Sequence, residues 1–287
     1  MKRGIYMQSI TVEILKKVIH NRPQNSFKGT FGKVLIVGGN SNMGGAAIMA
    51  GSAAVHTGAG LVTIATANEN LTAVHTSVPE AMFVDYCDDK QFVSLINEVD
   101  VIVLGPGLGN NQTAGRVVKT VFTNVKSGQK LIIDGSAITL LAQNLSLKSV
   151  LPTAADLIFT PHQMEWQRLS GILIADQNDV QRNQQAQQAL NATVILKKHH
   201  SELYFPDGEV YQLLAGNAAM ATGGMGDTLT GILAAFIAQF KEPLGEVIQA
   251  AVYMHSKIAD ELAKSHYVVL PTDIINNLQG FMKKYCG

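Results

Sequence analysis

The sequence predicts an α/β fold, a mostly parallel sheet between layers of helices, on three observations. Short aliphatic runs recur: KVLIVGG (33–39), LVTIAT (61–66), VDVIVLG (99–105), KLIIDG (130–135), DLIFT (156–160) and TVILKK (193–198). They are apolar throughout rather than alternating, as strands buried on both faces are. Helical stretches lie between them, at 46–55, 113–124, 179–190 and 246–263, and that alternation implies right-handed crossovers. No Pro/Gly/Ser linker, charge block or fixed-period repeat interrupts the 287 residues, so residues 1–287 read as one domain.

Taken in order, residues 1–25 read as an N-terminal extension with a helix. Their opening, MKRGIYMQSITVEILKK, has early positive charge but no apolar core of a secretory signal. Met7 is a second candidate start. The strand at 33–39 runs into Gly38-Gly39, that at 99–105 into Gly105-Pro106-Gly107, and that at 130–135 carries Asp134 at its end. NQQAQQAL (183–190) reads as a solvated helix face. ELYFPDGEVYQLL (202–214) breaks the rhythm, and its Asp207-Gly208 predicts an antiparallel hairpin at the sheet's edge. LTGILAAFIAQF (229–240) is too short to span a membrane and reads as a buried helix.

With 47% hydrophobic and 15% charged residues the chain is not of the disordered class. Lys plus Arg equals Asp plus Glu at 22 each, with no basic stripe, which argues against a nucleic-acid partner. Two cysteines, Cys87 and Cys286, form no disulfide framework and fit a reducing, cytoplasmic setting without a membrane.

In open α/β sheets ligands bind beyond the carboxyl ends of strands, so the glycine loops are natural site material. Taken singly they are ordinary turns: GGNSNMGG (38–45) lacks GxGxxG spacing, and no GxxxxGK[ST] occurs. GNAAMATGGMGDTLTGILAAF (216–236) says more. Gly223, Gly224 and Gly226 precede Asp227 at the start of an apolar helix. A glycine-rich helix start presents free N–H groups to an anion. Asp227, inside that nest, is placed to take a proton from a substrate hydroxyl. A plain helix cap by Asp227 or Thr228 is the alternative, although three glycines exceed what a cap needs.

At this point the chain resembles the ribokinase-like superfamily, whose phosphoryl-transfer loop GxGD is here Gly224-Met225-Gly226-Asp227. Within it the chain is similar to the ADP/ATP-dependent NAD(P)H-hydrate dehydratases from Lys28 onward. KGTFG (28–32), GGAA (44–47), GPGLG (105–109), TPHQME (160–165), VILK (194–197) and GNAAMATGGMGDTLTG (216–231) carry the likeness, in that order. The resemblance implies a three-layer α/β/α sandwich and a lyase that repairs hydrated NADH and NADPH. It would phosphorylate the ring hydroxyl from ADP or ATP and then eliminate phosphate. Asp227 becomes the base, and Gly224, Met225 and Gly226 the anion hole. Ala46, Gly107 and His162 fall at positions contacting the hydrated cofactor. Lys197, Lys198, His199, His200 and Ser201 match the nucleotide segment, with Gly226. Many relatives read Lys-Gly there, where this chain has Lys198. The resemblance also implies Mg²⁺, with Glu165 as a ligand through water, and a homo-oligomer, a tetramer. The epimerase domain that some relatives carry has no room in 287 residues.

The alternative function is a small-molecule kinase of the same fold acting on a vitamin precursor. Such kinases carry Asn-x-x-Glu where this chain has His162 and Glu165, which favours the dehydratase. A non-catalytic nucleotide sensor, the third reading, has no use for Asp227. Asp134 reads equally as a water-mediated Mg²⁺ ligand or as a helix cap. His199 and His200, neighbours on a strand, would point to opposite faces, and no second Cys/His pair makes a zinc site. No GxSxG elbow is present. Trp166 and the methionines read as packing, and His255 and Asp260 as surface or interface groups.

Overall fold

The computed structural model describes residues 7–286; the question of a start at Met7 concerns residues 1–6, outside the described residues. The strands are β1 (Met7–Ser9), β2 (Lys33–Val37), β3 (Leu61–Thr66), β4 (Met82–Asp85), β5 (Val101–Leu104), β6 (Lys130–Ile133), β7 (Asp156–Phe159), β8 (Thr193–Leu196), β9 (Glu202–Tyr204) and β10 (Val210–Gln212). They form one sheet in the order β1-β10-β9-β8-β7-β6-β5-β2-β3-β4. The run from β8 to β4 is parallel, and β9 is antiparallel to both neighbours. The helices are α1 (Glu13–Val18), α2 (Gly44–Thr57), α3 (Leu71–Ser77), α4 (Asp89–Ile96), α5 (Gln112–Asn124), α6 (Gly135–Gln143), α7 (Leu145–Lys148), α8 (Gln163–Ser170), α9 (Val180–Leu190), α10 (Met225–Gln239), α11 (Leu244–Leu262) and α12 (Pro271–Lys283).

Alternation along the strands builds two cores, because successive side chains point to opposite faces. Val34, Ile36, Val101, Val103 and Ile132 meet α2, α10, α11 and α12 on one face. Leu35, Val37, Ile102, Leu104 and Leu131 meet α4, α5 and α6 on the other. The result is the expected three-layer sandwich. Among the described residues no helix is long and apolar enough to cross a membrane.

Two expectations are corrected. The hairpin β9–β10 forms, but β10 is not the edge: β1 pairs with it in parallel, Met7 opposite Val210, and covers its open hydrogen-bonding groups. The N-terminal segment thus completes the sheet, and Leu15 and Val18 of α1 are fully buried. The glutamine-rich helix is not solvated all round. Asn183 and Gln187 are fully buried, the first accepting from Trp166 Nε1 at 2.9 Å and the second donating to the Ala192 carbonyl at 2.6 Å.

Candidate active site

The candidate residues gather at the carboxyl ends of the strands. Asp134, Thr160 and Lys197 directly follow β6, β7 and β8. Asp134, only 3% exposed, accepts from the Thr160 hydroxyl at 2.5 Å and from Lys197 Nζ at 2.7 Å. It makes no side-chain cap to α6, so its first task is to hold Lys197. Burial acts to lower the Lys197 pKa, but the carboxylates of Asp134, Glu165 and Asp227 outweigh it and leave the ammonium above its ordinary value.

The loop after β7 is built as a reciprocal cap. His162 Nδ1 accepts from the Met164 and Glu165 amides at 3.1 and 3.2 Å, and Glu165 Oε2 accepts from the His162 amide at 2.8 Å. Histidine thereby takes the capping role usual for a Ser or Asn. That role needs an unprotonated Nδ1, and burial, aided by Lys197, depresses the His162 pKa. Glu165 is buried, and burial pushes its carboxyl up while Lys197 opposes. An isolated parallel bridge between His162 and Lys197 ties this cap to the end of β8.

α10 opens opposite this cluster. Gly224 is its N-cap at φ 95°, a conformation L side chains avoid, and a Cβ there would run into Met49 Cε and Sδ, each 2.5 Å away. The amides of Met225, Gly226 and Asp227 occupy the first turn, where no intrahelical acceptor exists. A Cβ on Gly226 would lie 3.0 Å from Lys197 Nζ, so the ammonium and the turn abut. Burial, then the nearby Asp134 charge, pushes the Asp227 carboxyl up to about 6, with Lys197 pulling the other way.

Ala46 and Gly107 come together on two neighbouring loops. The Gly39 and Asn40 amides donate to the Pro106 and Gly107 carbonyls at 2.7 and 2.9 Å. Gly107 has φ 61°, and a Cβ there would meet the Met43 carbonyl and lie 2.7 Å from Ala46 Cβ. α2 carries both Ala46 and Met49 and so links this loop pair to the Gly224 turn.

In the 197–201 segment only Lys197 turns its charge toward that turn. Lys198 is buried in an ion pair with Glu202 at 2.6 Å, and Glu202 also accepts from the Tyr204 hydroxyl at 2.5 Å. Asn183 and Trp166 extend this network. His199 and His200 are not strand neighbours facing apart. They lie in a turn with His200 at φ 57°, their ring centroids 4.0 Å apart. Ser201 donates to the Lys198 carbonyl. His255 is not a surface group but 5% exposed, its pKa lowered to about 4 chiefly by burial. Sequence reasoning missed the Asp134–Lys197 and Lys198–Glu202 pairs, because pairs 63 residues apart or across a turn leave no pattern. Among the described residues no three His, Cys, Asp or Glu side chains converge as a metal cage. A cavity of about 830 Å³ at the sheet's opposite, amino edge is bordered by Arg22, Phe31, Gly58 and Gln239 and by none of these site residues.

A family model described as NAD(P)H-hydrate dehydratase matches residues 34–280. The chain is 46% identical to the ADP-dependent (S)-NAD(P)H-hydrate dehydratase of Lactiplantibacillus plantarum, over 97% of this chain and 98% of that one. It is 45% identical to the protein of the same name from Staphylococcus aureus, over 96% and 98%. A ribokinase-like crystal structure from Enterococcus faecalis superposes with a TM-score of 0.93 at 44% identity, covering 99% of both chains. The ADP/ATP-dependent NAD(P)H-hydrate dehydratase of Bacillus subtilis, crystallised with ATP and Mg²⁺, gives 0.86 at 26% identity over 98% and 100%. A hydroxyethylthiazole kinase from Pyrococcus horikoshii shares the fold alone, at 15% identity. By the match over residues 34–280 and these full-length likenesses, the chain belongs to the NAD(P)H-hydrate dehydratase family.

Proposed function

We propose that this chain returns hydrated NADH and NADPH to the reduced cofactors, driven by a nucleotide, with ADP as the phosphoryl donor. The single observation that carries the reading is Asp227, its pKa pushed up to about 6 in the amide-rich first turn of α10, where Lys197 Nζ abuts the turn. A base near neutrality beside fixed donors is what phosphoryl transfer to a hydroxyl requires.

Hydroxide is a poor leaving group and phosphate a good one. Asp227 takes the proton of the ring hydroxyl as its oxygen bonds to the terminal phosphorus of the nucleotide, and the bond from that phosphorus to the bridging oxygen breaks. The Gly224–Asp227 amides bear the charge spreading over the phosphoryl oxygens, and Lys197 meets the same charge from the β8 side. The ring nitrogen's lone pair then expels phosphate, and loss of a proton from the adjacent carbon restores the double bond. Ala46, Gly107 and His162 line the hydrated ring, while Gly226 and the 197–201 backbone face the nucleotide.

The donor set suits Mg²⁺ carried on nucleotide phosphates rather than an all-protein cage. Asp134 and Glu165 are the nearby carboxylates, and no third ligand joins them among the described residues. Glu165, with Asp134, would hold the ion through water, and when bound it neutralises phosphate charge. The test mixes purified protein, Mg²⁺ and hydrated NADH and follows the reduced-nicotinamide absorbance with ADP, ATP or neither. Recovery with nucleotide alone, fastest with ADP, is expected. No recovery from a folded sample that binds nucleotide overturns the reading.

A further inference from the structure

α11 supplies no residue to the site above, yet it reaches the glycine-rich segment at both ends. The Asp260 carboxylate accepts from the Gly216 amide through both oxygens, at 3.2 and 3.1 Å, and from Asn217 Nδ2 at 2.8 Å. Asn217 Oδ1 then accepts from the Ala219 amide at 2.9 Å, so one carboxylate fixes where the segment begins. Five positions earlier on α11, His255 lies at the segment's other end. Its ring makes a polar contact with the Met225 backbone, although its buried Nε2 completes no well-formed hydrogen bond. An apolar residue of similar volume would spare the fold that unsatisfied nitrogen, so stability alone does not account for histidine here. The ring stays uncharged, because burial first and the Lys197 charge second hold its pKa near 4, and it therefore adds no cation to compete with Lys197 for an anion.

We propose that α11 clamps the phosphoryl-transfer segment from beneath, with Asp260 and His255 as positioning residues. Asp260 sets the start of residues 216–226, and His255 sets the Met225 backbone and with it the aim of the first-turn amides and of the Asp227 carboxylate. The catalytic half of this inference rests on the function proposed above; the clamp itself does not.

The experiment compares wild type with His255→Leu, His255→Gln, Asp260→Ala and Asp260→Asn. Each is followed by nucleotide-driven absorbance recovery, by thermal midpoint and by amide hydrogen exchange at 216–219 and 225–227. His255→Leu keeps the volume and loses the polar edge. It is expected to lower kcat by about ten- to a hundredfold, the order that small misplacement of a catalytic group costs. Its KM for the hydrate and its thermal midpoint should hold, and exchange at 225–227 should quicken. His255→Gln, which restores a polar nitrogen, is expected to recover most of the rate. Asp260→Ala is expected to quicken exchange at 216–219 and raise the nucleotide KM, with Asp260→Asn intermediate. A His255→Leu enzyme with wild-type kcat, or variants with wild-type exchange at both ends, overturns the proposal. So does a fall in kcat that follows the thermal midpoint and that glutamine does not repair. If wild type itself fails to restore the hydrate, the functional reading falls, and the exchange data still decide the clamp.

Discussion

Replacing Asp227 by asparagine separates two consequences of where this carboxyl sits. Burial and the Asp134 charge raise its pKa to about 6 in the folded protein. The folded state therefore holds this proton more tightly than the unfolded chain does. The resulting stabilisation is complete below the ordinary aspartate range and is lost as pH rises through 6. At about 1.4 kcal/mol per pH unit the displacement amounts to roughly 3 kcal/mol. The carboxyl is partly open to solvent, and screening reduces this to about 1–2 kcal/mol. Asparagine carries no such cost. At pH 8 the variant is expected to melt a few degrees above wild type, roughly 2–5 °C for a chain of this size, with the gap closing toward pH 4. Turnover moves the opposite way, falling by about 10²–10⁴ with the base removed. In wild type, kcat/KM is expected to fall about tenfold from pH 7 to pH 5 as Asp227, with its pKa of about 6, protonates. Thermal melts and hydrate turnover across pH 4–8 check all three. An asparagine variant less stable than wild type at pH 8, or an acid limb below pH 5, would show that Asp227 is neither destabilising when ionised nor the titrating base.

Three further outcomes follow from the same geometry. Lys197→Met leaves Asp134 buried with only Thr160 as partner; it should cost about 3–5 kcal/mol in denaturant unfolding and, by removing the charge that holds the Asp227 pKa down, move the acid limb above 6. Gly226→Ala places a methyl 3.0 Å from Lys197 Nζ, the movable end of a long side chain. Its stability should stay within about 1 kcal/mol of wild type, while nucleotide-driven turnover falls about tenfold or more as the ammonium is displaced. Glu202→Gln removes the counter-charge of the buried Lys198 ammonium, which keeps only the Gln177 carbonyl and Asn178 Oδ1 as neutral partners, and should cost about 1–3 kcal/mol with the hydrate KM unchanged.

The parallel sheet and the Asp227 turn were legible because their signals are local. Aliphatic runs mark β2, β3 and β5–β8, and three glycines before an aspartate mark the start of α10. β1 was not legible: three residues, MQS, carry no strand signal until β10 offers them an edge. The buried face of α9 was hidden because Asn183 and Gln187 are polar by composition and become interior only through Trp166, Tyr204 and the Ala192 carbonyl. His255 was misread for the complementary reason. A histidine among ordinary helix formers looks solvent-facing, and only packing of α11 under α10 buries it. Lys198 looked available to phosphate because the sequence shows its charge and not its partner, Glu202.

In the proposed reaction the ring hydroxyl itself becomes part of the departing phosphate. Hydrated NADH whose ring hydroxyl carries ¹⁸O, prepared in labelled water, tests it directly when turned over with ADP in unlabelled buffer. One ¹⁸O is expected in the released inorganic phosphate for each NADH restored. Label appearing in water, with unlabelled phosphate, would mean that the hydroxyl leaves without being phosphorylated and would contradict the role given to Asp227 and the glycine turn.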